Sequence, residues 1–208
     1  MRTIEFALVF FGLPALFAFT RHRIPALPAL WLFFAVCLVA LLRDPSFDRR
    51  QLWNAAAIRG RALSILVPFV VAAVVLLLAV RHFAPGLFLS LPRTNPILWA
   101  AIMVLYPVLS VYPQTIIYRA FLFHRYRPLF GGGLGVAIAS AVAFGFLHVV
   151  FRNGWAIGLS ALAGGLFAWR YLQTGSVFVS AFEHALYGCL IFTAGLGRFF
   201  YHGAVRRF

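Results

Sequence analysis

Apolar runs long enough to cross a bilayer follow one another down this chain with only short polar links between them. That pattern constrains the fold more than any other feature. The run Leu63 to Val80 is the plainest, with no charged residue in it. A hydrocarbon core takes roughly 20 apolar residues per helical span, so the 208 residues hold about seven or eight spans and little else. The expected fold class is all-α: a polytopic membrane helical bundle of about seven or eight transmembrane helices, with residues 1–208 as a single membrane domain. Composition excludes the soluble classes, since 63% of residues are hydrophobic and only 11% charged, where a soluble domain carries about 25% charged residues.

The net charge of +14 comes entirely from arginine, and the only acids are Glu5, Asp44, Asp48 and Glu183. Because the arginines sit between apolar segments and form no basic domain, they fit anchorage of helix ends at lipid headgroups. No nucleic-acid partner is expected; the partners are the lipid bilayer and a membrane-protein or peptide substrate. Cys37 and Cys189 fall inside apolar runs, where a thiol behaves as a small hydrophobe.

The expected spans are Thr3 to Thr20, Ile24 to Leu42, Leu63 to Val80, Ile97 to Val111 continuing from Tyr112 to Tyr126, Leu134 to Phe151, Trp155 to Leu172, and Val177 to Leu196. Arg21-His22-Arg23 links the first two. The first span lacks a small-x-small cleavage pattern near Thr20 and is read as retained. Arg43 to Arg61, the longest polar stretch, is expected to hold a short helix at the interface. The fourth span should kink near Pro107 or Pro113, because proline removes a backbone hydrogen bond. Small residues four apart, Gly131/Gly135, Gly154/Gly158 and Ala161/Gly165, are candidates for close helix approach. Trp155, Trp169 and Tyr201 are expected as interface anchors. The arginines, including Arg198, Arg206 and Arg207 in the tail, are too evenly distributed to fix an orientation.

Function is concentrated at three stations where polar groups interrupt segments built for lipid: Gln114, Thr115 and Arg119; His148; and Glu183 with His184. Ionisable residues are costly in a bilayer and mark functional sites there. With a turn near residue 130, antiparallel helices bring Thr115 and His148 to the same depth. At 1.5 Å rise per residue, His184 lies within roughly 9 Å of that level. One polar cavity, enclosed by the last four spans and open to one side of the membrane, is the expected arrangement. Burying Glu183 unpaired would cost several kcal/mol, so a Glu183 to Arg119 pair is expected alongside the alternative of a catalytic Glu183.

Gln114-Thr115-Ile116-Ile117-Tyr118-Arg119, then Phe144-x-x-x-His148, then His184, resemble the ordered motifs of the CAAX protease and bacteriocin-processing (CPBP, Abi-type) family of intramembrane endopeptidases. Those run Glu-Glu-x-x-x-Arg, Phe-x-x-x-His and His-x-x-x-Asn. The likeness extends to the type II CAAX prenyl endopeptidases, and His124-Arg125-Tyr126-Arg127 is similar to bacterial members. It covers residues 96–197, the expected catalytic-type core. It implies a hydrolase, a glutamic- or metallo-type peptidase cutting membrane-associated proteins, and an integral membrane location, that of the bacterial inner membrane. The residues implied as catalytic are His148, His184, Glu183, Thr115, Gln114 and Arg119. A divalent metal, where one takes part, would fall to His148 and His184.

Two departures bear on activity. Gln114 and Thr115 stand where the family has its glutamates, and neither accepts a proton at neutral pH. Gly188 stands where much of the family has asparagine. Loss of a general base costs about 10²- to 10⁴-fold. Either the base has moved to Glu183 or a histidine, or the chain binds membrane peptides or lipidated tails without cutting them. A small transporter is the remaining class, and it would want polar residues along more of the spans.

Overall fold

The computed structural model describes residues 1–20 and 25–200. The Arg21-His22-Arg23 link, and Tyr201, Arg206 and Arg207 of the tail, lie outside the described residues. Among those described, the regular secondary structure is all helical. Six helices are long and apolar enough to span a membrane. We number the long helices α1 (Arg2–Phe19), α2 (Ala26–Arg43), α3 (Ala62–Phe83), α4 (Pro96–Phe130), α5 (Leu134–Leu147), α6 (Gly154–Thr174) and α7 (Val177–Ala194). Helix α6 is the one that falls short in apolarity, yet its 21 residues reach about 31 Å, the thickness of a hydrocarbon core. The chain is an integral membrane protein, a polytopic all-α bundle.

Proline does not break α4. The 35 residues from Pro96 to Phe130 run as one helix that widens into π turns at Pro107–Val111 and Ile116–Phe121. The wider turns absorb the hydrogen bonds that Pro107 and Pro113 remove, and π turns are often found at functional sites. Every residue from Thr115 to Phe123 is buried. Helix α1 covers this stretch through Phe10 on Tyr118, with ring centroids 5.4 Å apart, and Phe6 on Tyr126 at 5.2 Å. Glu5 binds Arg125 and the Tyr126 hydroxyl at the helix end.

The polar stretch between α2 and α3 forms two 3-10 turns, Arg49–Leu52 and Ala55–Ile58, where a short interfacial helix was expected. It is stitched over the helix ends by side chains from below. Tyr171 donates to the Gln51 side chain at 2.6 Å, Tyr112 to the Leu52 carbonyl at 2.8 Å and Ser176 to the Asn54 carbonyl at 2.8 Å. Ahead of it, hydrogen bonds from Ser46 and from His124 hold the Asp44 carboxyl below the usual carboxylate range.

Close approach of α5 and α6 takes place at Ala161 and Gly165, one of the small-residue pairs the spacing suggested, with Gly145 of α5 opposite Ala161 and Ala141 opposite Gly165. An ideal Cβ on Gly145 would lie 2.6 Å from the Ala161 Cβ, whereas Gly154 and Gly158 face open space. Ala161 is thus a packing position, as expected, while the Gly154/Gly158 pair is not.

The buried acid is paired differently from the expectation. Glu183 is fully buried and takes two hydrogen bonds from Arg170 of α6, Nε to Oε2 at 2.8 Å and Nη2 to Oε1 at 3.1 Å. Arg170 also donates to the Ser64 carbonyl at 3.0 Å and to the Gln173 side chain at 3.1 Å. The pair therefore joins α3, α6 and α7. The Arg119 to Glu183 pairing is corrected: Glu183 lies about 100° around α7 from His184, which turns it toward α6.

Removing one member of this pair strands the other. Glu183→Gln and Arg170→Met should each lose about 3 to 5 kcal/mol in unfolding measured in detergent, and the double replacement by leucine should recover most of that loss. Gly145→Val should cost about 1 to 3 kcal/mol by overpacking in the same measurement, with Gly158→Ala close to wild type.

Candidate functional site

Ser140, Phe144 and His148 occupy one face of α5 at four-residue spacing, and the site is built around the middle one. The Phe144 ring is buried and meets groups from α4, α6 and α7. The Arg119 guanidinium carbon sits 5.1 Å from its centroid, the Tyr118 ring 5.4 Å away, the His148 imidazole 5.0 Å and the His184 imidazole 5.2 Å. Since both imidazole centroids lie within 5.2 Å of the same point, they are at most about 10 Å apart. His148 and His184 thus come together on one aromatic ring.

Arg119 is almost wholly buried, at 1% exposure, without a carboxylate partner among the described residues. Its Nη1 donates to the Ser140 hydroxyl and to the Tyr118 carbonyl, the latter at 3.2 Å, and Nη2 donates to the Gly164 carbonyl at 3.1 Å. Its Nε is buried without a partner among the described residues. Ser140 passes the chain of hydrogen bonds on to the Tyr118 carbonyl at 2.6 Å. Gly164 brings α6 close enough for this, since a Cβ there would stand 3.0 Å from the Phe144 ring.

His148 opens the 3-10 turn His148–Phe151 that ends α5. Its Nδ1 lies 2.9 Å from the Phe144 carbonyl. A carbonyl only accepts, so Nδ1 carries the hydrogen and Nε2 of the neutral ring holds a free lone pair. His184 is stacked on Phe167, 4.6 Å between centroids and 21° between planes, and crosses Tyr106 edge to face at 6.4 Å. Its nitrogens have no hydrogen-bond partner among the described residues.

Motif one turns inward on its own helix. Thr115 is buried and its hydroxyl donates to the Val111 carbonyl at 2.8 Å. Gln114 donates to the Ser110 hydroxyl at 2.7 Å, and its Oε1 is buried without a partner among the described residues. Glu183, spent on Arg170, does not join the group around Phe144. Two cavities, of about 240 and 760 Å³, lie beside His124, away from Thr115, Arg119, His148 and His184. Phe144 stands where Arg119, His148 and His184 meet.

A protein zinc site takes three or four side-chain donors. Among the described residues, no group of three or more His, Cys, Asp or Glu comes together. The donor set around His148 and His184 therefore falls short of a protein zinc site.

The residues that motif reading missed are Ser140, Phe167, Arg170 and Tyr106. Ser140 carried a signal, lying two four-residue steps before His148. Arg170 was hidden by its place near a helix end, where an arginine ordinarily snorkels.

No curated protein and no solved structure matches the chain. Residues 94–190, just under half of the chain and holding every residue of this site, match the family model described as Type II CAAX prenyl endopeptidase Rce1-like, and over that segment the chain is similar to the CAAX protease (CPBP) family.

Proposed function

We propose that the chain is an intramembrane endopeptidase of the CAAX protease type, in which a histidine carries the work of the missing motif-one glutamate. The segment 96–197 forms its catalytic core. Its substrates are peptide bonds of membrane-associated proteins, and a bacterial inner membrane is its location. The observation that carries the reading is the convergence of Arg119, His148 and His184 on the Phe144 ring, inside a segment that matches the family.

The chemistry follows from the tautomer of His148. Its Nδ1–H is held by the Phe144 carbonyl, so Nε2 is the atom that takes a proton from water as the oxygen attacks the peptide carbonyl. The imidazolium then returns that proton to the leaving amide nitrogen. His184, with its nitrogens uncommitted, positions the water or the carbonyl. Arg119 supplies a fixed positive charge in a low-dielectric setting, where negative charge developing on the carbonyl oxygen is stabilised far more than in water.

One observation favours the second reading, a member that binds membrane peptides or lipidated tails without cutting them. All four acids are already engaged: Glu5 by Arg125, Asp44 by His124, Asp48 by the Arg50 backbone and Glu183 by Arg170. A carboxylate base is therefore not on hand.

A cleavage assay on membrane peptides decides between them. On the enzymatic reading, wild type turns peptide over and His148→Ala loses about 10²-fold or more. Thr115→Glu, which returns a carboxylate to motif one, should raise turnover by about 10²-fold where wild type is slow. A folded wild type and Thr115→Glu that both bind peptide and leave it intact would establish the binding reading.

A further inference from the structure

One polar group beside His184 is left unassigned by this reading, and it reaches the site from outside the three motifs. His184 and Gly188 are one turn apart on the same face of α7. At Gly188 an ideal Cβ would lie 2.4 Å from both Cε1 and the hydroxyl oxygen of Tyr106. The volume that a side chain one turn beyond His184 would fill is therefore taken by a phenol from α4. Glycine at 188 is what makes room for it.

The phenol is aimed and held. Its ring meets His184 edge to face, with planes at 87° and centroids 6.4 Å apart, and packs on Phe192 at 5.3 Å. Position 106 immediately precedes the π turn at Pro107–Val111, which changes the facing of α4 just after the tyrosine. Tyr112, Tyr126 and Tyr171 spend their hydroxyls on Leu52, Glu5 and Gln51. The Tyr106 hydroxyl has no hydrogen-bond partner among the described residues, which leaves its donor free for a ligand.

We propose that the Tyr106 hydroxyl is a carbonyl-binding donor of the site, hydrogen-bonding the oxygen of the peptide carbonyl that His184 and His148 face. This rests on the peptide-processing reading above. The hydroxyl stays protonated throughout: it donates one hydrogen bond, which shortens as negative charge grows on the carbonyl oxygen, and no covalent bond to the phenol forms. Gly188 is a positioning residue, acting by leaving the space that Tyr106 needs.

The test uses the full chain in detergent with two probes, a farnesylated CAAX-type peptide and an unlipidated membrane-spanning peptide, each ¹³C-labelled at its scissile carbonyl. Turnover and the infrared band of the labelled carbonyl are read together for wild type, Tyr106→Phe and Gly188→Ala. Tyr106→Phe keeps the ring and its packing. It should lower kcat about 10²- to 10³-fold with KM little changed, and should abolish the shift of the bound carbonyl band to lower frequency. Gly188→Ala, whose methyl overlaps the phenol, should show both losses. Tyr106→Ala with Gly188→Asn, which places an amide donor in the vacated space, should regain part of each. A Tyr106→Phe with wild-type kcat and an unmoved band would overturn the inference and leave the endopeptidase reading standing. Binding without turnover in wild type would overturn the endopeptidase reading, while the band shift would still decide Tyr106 for or against. Failure of wild type to bind either probe would sink both.

Discussion

A guanidinium with no carboxylate beside it, held inside a lipid-embedded bundle, is the constraint on which the rest of the site depends. Arg119 cannot shed its charge cheaply, so its environment must supply oxygen and π density. The Ser140 hydroxyl, the carbonyls of Tyr118 and Gly164, and the face of Phe144 do so. Those groups come from three helices, α4, α5 and α6, and solvating one cation thereby fixes their separation and rotation. The small side chains at the crossing, Gly145 against Ala161 and Gly164 against Phe144, are the sequence's accommodation to that demand. Phe144 then carries Arg119 and both imidazoles around one buried ring.

The chain carries two buried arginines with opposite solutions to the same electrostatic problem. Arg170 is neutralised by Glu183 with two hydrogen bonds, a paired and structural arrangement that ties α6 and α7 to the start of α3. Arg119 is solvated without being neutralised, which leaves a net positive charge in a low-dielectric region. Neutral pairs contribute little field at a distance, whereas an uncompensated cation acts across several ångströms. On the proposed reading, the first arginine serves the architecture and the second the chemistry. The division also explains why an acid directly before His184 in sequence takes no part in the histidine's surroundings: adjacent residues on a helix face directions about 100° apart.

Hydrophobic length made the helices legible, and their bounds were close: Leu134 to Phe151 is a span of the structure, and Trp155 to Leu172 lies inside α6. The meeting of His148 and His184 was also legible, because depth along antiparallel helices follows from residue number alone. Rotation about each axis does not follow from number, and there the reading failed. Glu183 was assigned to the wrong arginine because Arg170, near a helix end, reads as a snorkelling residue, and only the turn of α7 toward α6 decides. Tyr106 lies outside the three motifs and carried no signal of its own. Its signal was indirect, a missing side chain at Gly188 on another helix. The 3-10 turns between α2 and α3 were unreadable for a similar reason, since their shape is set by tyrosine and serine hydroxyls from distant helices.

The two neutral residues of motif one give the last step. A carboxylate at 114 or 115 would bring a negative charge onto the helix turn that precedes Arg119. With glutamine and threonine there, both side chains instead close hydrogen bonds back to Ser110 and Val111 of their own helix, and the cation stays uncompensated. On the proposed reading, that exchange removes a base and leaves Arg119 as the stronger electrophile. A neutral imidazole with a fixed tautomer needs no counter-charge to exist in such a field. The sequence that lost its glutamates is thus self-consistent as a site of histidines, hydroxyl donors and one bare cation, and its chemistry is to be sought in those groups.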